Sequence, residues 1–432
     1  MADNIGDNMY NNDNNYFIGR VFEISDKTVT VFDGHNALKK FELSKQPDFR
    51  CGDIVGLKID ELSQPETNKK SSPDDFLFVS GWQILCRCID NPFSNPHSLP
   101  SRMLNGQLDG VLRQRKKFLS VVADFFDNRQ YTRLDSPVLV DSPGVETYLE
   151  PFATNYYEYD AIAHRMYLPT SPEYALKAAV GAMMSDVYSF ARSFRNCGEE
   201  SQLHKKEFTM LEWYIAFQDY HYIIEETKRI FAHIGQYYQR DGKLHRDGHE
   251  CDLHNCDEFT MRELFARHGI ELNDYTDAPQ RFIDSVVSFY AEKGESLSSN
   301  LNKDDYFFKL FMDYIEPTLG FDRPAIVRDF PIEMCPLSLP VEDDSHYGQR
   351  FEVYIFGIEL ANGYTELTDY EKQAANFETV LEERQRTGET EHVGLPQEFL
   401  QAMRYGIPPC TGCAMGLDRM FMLCEELSDI HK

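Results

Sequence analysis

The stretch Arg350-Phe-Glu-Val-Tyr-Ile-Phe-Gly-Ile-Glu-Leu-Ala-Asn-Gly-Tyr-Thr-Glu-Leu-Thr-Asp369 places three carboxylates, Glu352, Glu359 and Glu366, within fifteen residues of otherwise apolar, alternating sequence. Period-two alternation, a turn at Gly357 and a returning segment read as an antiparallel hairpin that brings Glu352 and Glu359 close enough to share a hard cation. On an open strand face these carboxylates would be solvated and carry no message. In a pocket they repel one another and need Mg²⁺ or an ammonium as counter-charge, which is what a site for an amino acid and ATP supplies. The chain must then enclose such a pocket, and 42% hydrophobic residues over 432 positions provide a sizeable core.

Charge narrows the ligands. Lys and Arg number 43 against 71 Asp and Glu, a formal charge of -28, so the averaged field repels polyanions and disfavours a tRNA partner. A small anion such as a nucleotide can still be held by a few arginines and a metal ion. No run of about 18 apolar residues occurs, and Met1 to Asn15 lacks a basic region followed by an apolar one, so the expectation is a cytoplasmic protein with no membrane partner. Ten cysteines in that setting read as free thiols.

Residues 1–15 read as a disordered tail. Residues 16–90 carry about five short alternating strands with turn punctuation, the pattern of a small OB-like β-barrel, with a polar loop at residues 63–75. Residues 1–100 hold 10 Lys and Arg against 15 Asp and Glu, a net of -5, so no electrostatic funnel for nucleic acid is visible. Residues 91–104, rich in proline, read as a linker. From 105 to 432 helical stretches (Val111 to Phe126, Glu173 to Met184, Tyr220 to Tyr238) interrupt strand-like ones (Glu207 to Phe217, Arg350 to Phe356), which predicts an α+β domain with an antiparallel sheet flanked by helices. No G-x-G-x-x-G or G-x-x-x-x-G-K-[ST] loop is present.

Two further segments carry chemistry. Ser193-Phe-Arg-Asn196 and His204-Lys-Lys-Glu-Phe-Thr-Met-Leu-Glu-Trp-Tyr214 flank a polar loop as a second hairpin; Arg195 at its base can fork onto a carboxylate or phosphate, and Phe208 can stack on a flat ring. In Gly412-Cys-Ala-Met-Gly-Leu-Asp-Arg419 the glycines let a strand approach a ligand, and Arg419 opens the following helix as a phosphate seat. Taken singly, each segment also fits an ordinary solvated hairpin or helix start.

Together, in this order, they resemble motifs 2 and 3 of the class II aminoacyl-tRNA synthetases. Thr170-Ser-Pro-Glu-Tyr174, Arg192-Ser-Phe-Arg-Asn196 and Gly357-Ile-Glu-Leu-Ala-Asn-Gly363 place the resemblance in the lysyl branch, most like the elongation factor P-lysine ligases, over roughly residues 105 to 425. The resemblance implies an ATP-dependent ligase that makes an aminoacyl adenylate. Arg195 would bind the substrate carboxylate and the α-phosphate, and Phe208 would stack on adenine. His204 and Arg419 would hold the outer phosphates, with Glu352 and Glu359 on Mg²⁺. Glu173 and Ser171 would face the reactive-end amine, and Glu212, Tyr214, Asn362 and Glu366 the distal ammonium of a lysine-type amino acid. Ala414 stands where lysyl-tRNA synthetases usually have glycine, which fits (R)-β-lysine as substrate and elongation factor P as acceptor. The alternative is a compact lysyl-tRNA synthetase or an aminoacyl ligase for another carrier. Pro137 matches the motif 1 proline, which implies a homodimer. Gln202 stands where the family usually has arginine, and a motif 2 loop one residue longer leaves the adenine-contacting acid open between Glu199 and Glu200.

Two weaker signals remain. His245, His249, Cys251, His254 and Cys256 are zinc-ligand types crowded into twelve residues, but without a regular C-x-x-C pair a solvated insertion is the expectation. Cys410-Thr-Gly-Cys413 has redox spacing, and within motif 3 a wall of the substrate pocket is the expectation.

Overall fold

The computed structural model describes residues 16–33, 38–60, 77–96, 98–104, 107–146, 149–159, 162–196, 201–239, 241–298, 301–387 and 393–430. The chain divides into two units, residues 1–116 and 117–432. The expected tail and the loop at 63–75 lie outside the described residues.

In the first unit, alternating residues of five strands turn inward: β1 Tyr16–Ser25, β2 Thr28–Phe32, β3 Leu38–Leu43, β4 Ile54–Ile59 and β5 Leu77–Cys86. They close in the order β1-β2-β3-β5-β4, with every pairing antiparallel except β3 with β5. Val21, Val29, Val31, Phe41, Val55 and Leu57 fill the interior. Closure removes the exposed strand edges that a five-stranded open sheet would leave. The stretch expected to be a plain linker contains a helix, Leu99–Leu104. Ser98 accepts from the Ser101 backbone N–H at 3.3 Å, and Pro100 sits in the first turn, where a missing N–H costs nothing.

The second unit is built on an eight-stranded sheet. Its strands are β6 Thr132–Arg133, β9 Val187–Phe194, β10 Glu207–Ala216, β13 Asp257–Thr260, β14 Ala325–Pro331, β15 Tyr347–Ile355, β16 Ile358–Thr365 and β17 Cys410–Gly416, in the order β13-β14-β15-β16-β17-β10-β9-β6. The six central strands pair antiparallel, as expected, while β13 on β14 and β6 on β9 are parallel. Two small hairpins, β7 Phe152–Tyr157 with β8 Ala163–Leu168 and β11 Lys243–Arg246 with β12 His249–Asp252, lie outside it.

Alternation on β10 separates the two faces. Leu211 and Trp213 point to one side and are fully buried; Phe126, from the helix Gln107–Asp127, packs on Trp213 at 5.7 Å between centroids and stacks on Tyr188 at 4.6 Å. Phe118, Val122, Phe125 and Phe126 of that helix are all buried, each contributing roughly 1.5–3 kcal/mol of apolar transfer. Glu212 and Tyr214 point to the opposite side, toward the helix Glu173–Met183. Among the described residues no helix is long and apolar enough to cross a membrane.

Candidate active site

The polar side of the sheet floors a cavity of about 1220 Å³ in the second unit. Strand register arranges the residues around it. Glu212 on β10 is directly opposite Ala414 on β17, which is opposite Asn362 on β16, which is opposite Glu352 on β15. Directly opposed residues share a sheet face, so this row is fixed by backbone hydrogen bonds and not by loops. The neighbouring row runs Tyr214, Gly412, Tyr364, Arg350. A β-carbon on Gly412 would collide with the Tyr214 ring and lie 2.7 Å from Glu366 Oε1, so only glycine lets those groups close over the strand.

Glu359 reaches the same face through an irregularity. Phe356 and Gly357 both adopt positive φ, 52° and 68°, forming the tight β15–β16 turn between the paired Ile355 and Ile358. The register then shifts: Tyr354 pairs with Glu359 and Val353 with Ala361, leaving Leu360 as the extra residue. Glu359 and Asn362 are three positions apart, which on a regular strand would put them on opposite faces; the bulge restores both to the cavity side.

At one end of the cavity the amine-binding candidates meet. Ser171 donates to Glu212 Oε1 at 2.6 Å and Tyr214 donates to Glu212 Oε2 at 3.2 Å. Burial pushes the Glu212 carboxyl up to about 8, with the Ser171 hydroxyl opposing. Tyr364 donates to Glu173 Oε1 at 2.9 Å. Lys177, one helical turn after Glu173, forms ion pairs with both Glu173 and Glu366. Burial disfavours its ammonium, but Glu173 and Glu366 outweigh that and keep it charged.

The other end gathers the phosphate candidates. Arg419 follows β17 and donates from Nη1 to the Glu359 carbonyl at 2.7 Å and from Nε to the Leu203 carbonyl at 3.3 Å; its Nη2 lies 2.9 Å from His204 Nε2. Arg195 holds its guanidinium 5.2 Å from the centre of the Phe208 ring, and its buried Nε has no hydrogen-bond partner among the described residues. Every site residue expected from the sequence lines this cavity except two. Glu352, on the same sheet face as Asn362 and Arg350, does not line the cavity: it is 7% exposed, and its carboxylate accepts from Arg350, Tyr354 and Asn362. Glu199, like Glu200, lies outside the described residues.

A family model described as tRNA synthetases class II (D, K and N) matches residues 101–432. The chain belongs to that family. Among the relatives of this class II synthetase, the elongation factor P--(R)-beta-lysine ligase of Yersinia enterocolitica is 29% identical over 323 residues, 74% of this chain and 93% of that protein. The corresponding ligase of Buchnera aphidicola is 31% identical over 328 residues, with the same coverage. A lysine--tRNA ligase of Pediococcus pentosaceus is 30% identical over 321 residues, 74% of this chain but 62% of that protein. Membership makes this protein an ATP-dependent ligase with the expected α+β catalytic domain. The barrel, β1–β5, precedes the matched region.

Sequence reasoning missed Lys177 and Arg350, although both carried signals. Leu176, Lys177 and Val180 share the buried face of their helix, so the lysine stands where an apolar residue is expected. Arg350 precedes Glu352 by two residues on one strand and so shares its face. A third carboxylate, Glu316, also went unread; burial first and Glu359 second push it up to about 7. The histidine and cysteine cluster forms a hairpin in which His245 pairs with Asp241 and His254 with Asp252, and among the described residues no three potential ligands converge. Cys410 and Cys413, three apart on β17, point to opposite faces, and both are buried free thiols.

Proposed function

We propose that the protein activates a lysine-type amino acid, (R)-β-lysine, as an adenylate and transfers it to a lysine side chain of elongation factor P. One observation carries this: Glu173, Glu212 and Glu366 gather at one end of a cavity whose other end holds Arg195, His204, Glu359 and Arg419. A substrate with an ammonium at one end and a carboxylate beside a triphosphate at the other matches that polarity. The amino-acid carboxylate attacks the α-phosphorus in line and pyrophosphate leaves; the acceptor amine then attacks the mixed anhydride, loses its proton and expels AMP. Neither step needs a protein nucleophile, so the residues act by positioning and charge.

ATP and Mg²⁺ fit the residues present. The unpartnered Nε of Arg195 beside the Phe208 ring suits an anion next to a flat base. Glu316, raised by burial and by Glu359, has the signature of a carboxylate short of a cation, while Glu352, raised by burial, has Arg350 as its counter-charge. Glu359 and Glu352 would hold Mg²⁺, which when bound offsets charge on the outer phosphates.

Ala414 supports the β-lysine assignment, since its methyl lies between Glu212 and Asn362 in the floor row, although one methyl supplies only ~1 kcal/mol of discrimination. The barrel favours a second reading, a compact lysyl-tRNA synthetase. Intact-mass measurement of elongation factor P and of tRNA after incubation with ATP and each lysine isomer separates the two. The expected result is a mass gain on elongation factor P, greater with β-lysine and reduced by Ala414→Gly. Efficient lysylation of tRNA with none on elongation factor P would establish the second reading instead.

A further inference from the structure

The amine end of the cavity contains an ammonium of its own. Lys177 is 2% exposed, does not line the cavity, and sits behind it with its Nζ shared between Glu173 and Glu366, 5.3 Å from the Tyr364 ring centre and 5.9 Å from that of Phe399. Glu212 is held only by the neutral donors Ser171 and Tyr214 among the hydrogen bonds of its side chain. With Glu212 deprotonated, as pairing with an ammonium requires, Glu173, Glu212, Glu366 and the one fixed cation carry a net charge of -2; Glu146, a fourth carboxylate on the cavity wall, has the Arg195 charge opposing the cost of its burial. A lysine-type amino acid brings two ammonium groups, the distal one toward Glu212 and Glu366 and the reactive-end one toward Glu173, next to the carboxylate that belongs with Arg195.

We infer that Lys177 is a charge-setting residue: its buried ammonium cancels one of the three carboxylates, so that the cavity is matched to a substrate carrying two ammonium groups. The inference rests on the lysine-type reading of this site. Lys177 touches no substrate and acts through Glu173 and Glu366, so it is a positioning residue. The alternative is that Lys177 only fills space and anchors the helix Glu173–Met183, whose buried face includes Leu176 and Val180.

The two roles predict opposite signs for one double substitution. Glu366→Gln leaves a net charge of one and should weaken binding of a diammonium amino acid at least tenfold. Adding Lys177→Met restores a net charge of two, so removal of a lysine should recover at least threefold of the lost affinity. Titration calorimetry of the full chain with L-lysine and with (R)-β-lysine reads this directly, with thermal melts of each variant alongside. If Glu366→Gln does not fold, Glu173→Gln with and without Lys177→Met gives the same test, because Glu173 shares the same ammonium. A double variant as weak as, or weaker than, its single carboxylate variant overturns the inference. Wild-type protein that binds neither isomer would instead remove the lysine-type reading on which the inference stands.

Discussion

Glu212 shows how one side chain joins burial to function. Its carboxyl stands at about 8 because burial disfavours the anion, while the Ser171 hydroxyl pulls the other way. At pH 7 it is therefore mostly protonated in the free protein and must lose that proton to pair with an ammonium. The sign follows: affinity for the amino acid should rise about tenfold per pH unit up to pH 8 and level off above it. Removing the hydroxyl with Ser171→Ala should move that break to higher pH. The amino-acid KM in ATP-pyrophosphate exchange, followed from pH 6.5 to 9, checks both, and a KM that is flat across the range contradicts the assignment.

Among elements, β17 and the β15–β16 hairpin do most to place the chemistry. Residues 410–416 lie between β10 and β16, so Gly412 is flanked by Tyr214 and Tyr364, and Ala414 by Glu212 and Asn362. Gly412 is the tightest of these. Gly412→Ala would push a methyl into the Tyr214 ring and against Glu366, and overpacking of this kind costs about 1–3 kcal/mol. A lowered Tm together with a raised amino-acid KM is the expected result; wild-type values for both would show that the floor can yield. The hairpin was legible from its alternation and Gly357, but the bulge at Leu360 was not. A bulge arises from pairing with a partner strand, and nothing in the local sequence marks which residue is left over.

For the whole molecule, charge and assembly are the open consequences. A net charge of -28 opposes the approach of a polyanion, whereas a protein acceptor needs one complementary patch around its target lysine. The segment Leu134-Asp-Ser-Pro137 follows the helix Gln107–Asp127, and Val138 and Leu139 beyond it are 50% and 43% exposed. We expect these residues to be covered in a homodimer with two-fold symmetry. Sedimentation at micromolar concentration should show the dimer, and Leu139→Asp should shift it toward monomer. An active monomer in the unmodified protein would contradict this.

What the sequence determined by itself was the chemical inventory and the kind of element carrying it. Glu212, Glu359, Arg195 and Arg419 are visible as residue types on strands, at a turn and at a helix start, because periodicity and turn chemistry are local. Tertiary structure decided which charges face one another. Lys177 reads locally as a helix lysine and becomes an internal counter-ion only when Glu366, 189 positions away, is brought beside it. Glu352 reads as a metal ligand beside Glu359, and the structure buries its carboxylate in hydrogen bonds from Arg350 and Tyr354. The physical reason is the same for both: the energy of a buried charge depends on its neighbours in space, and those are set by strand register and bulges, which are non-local.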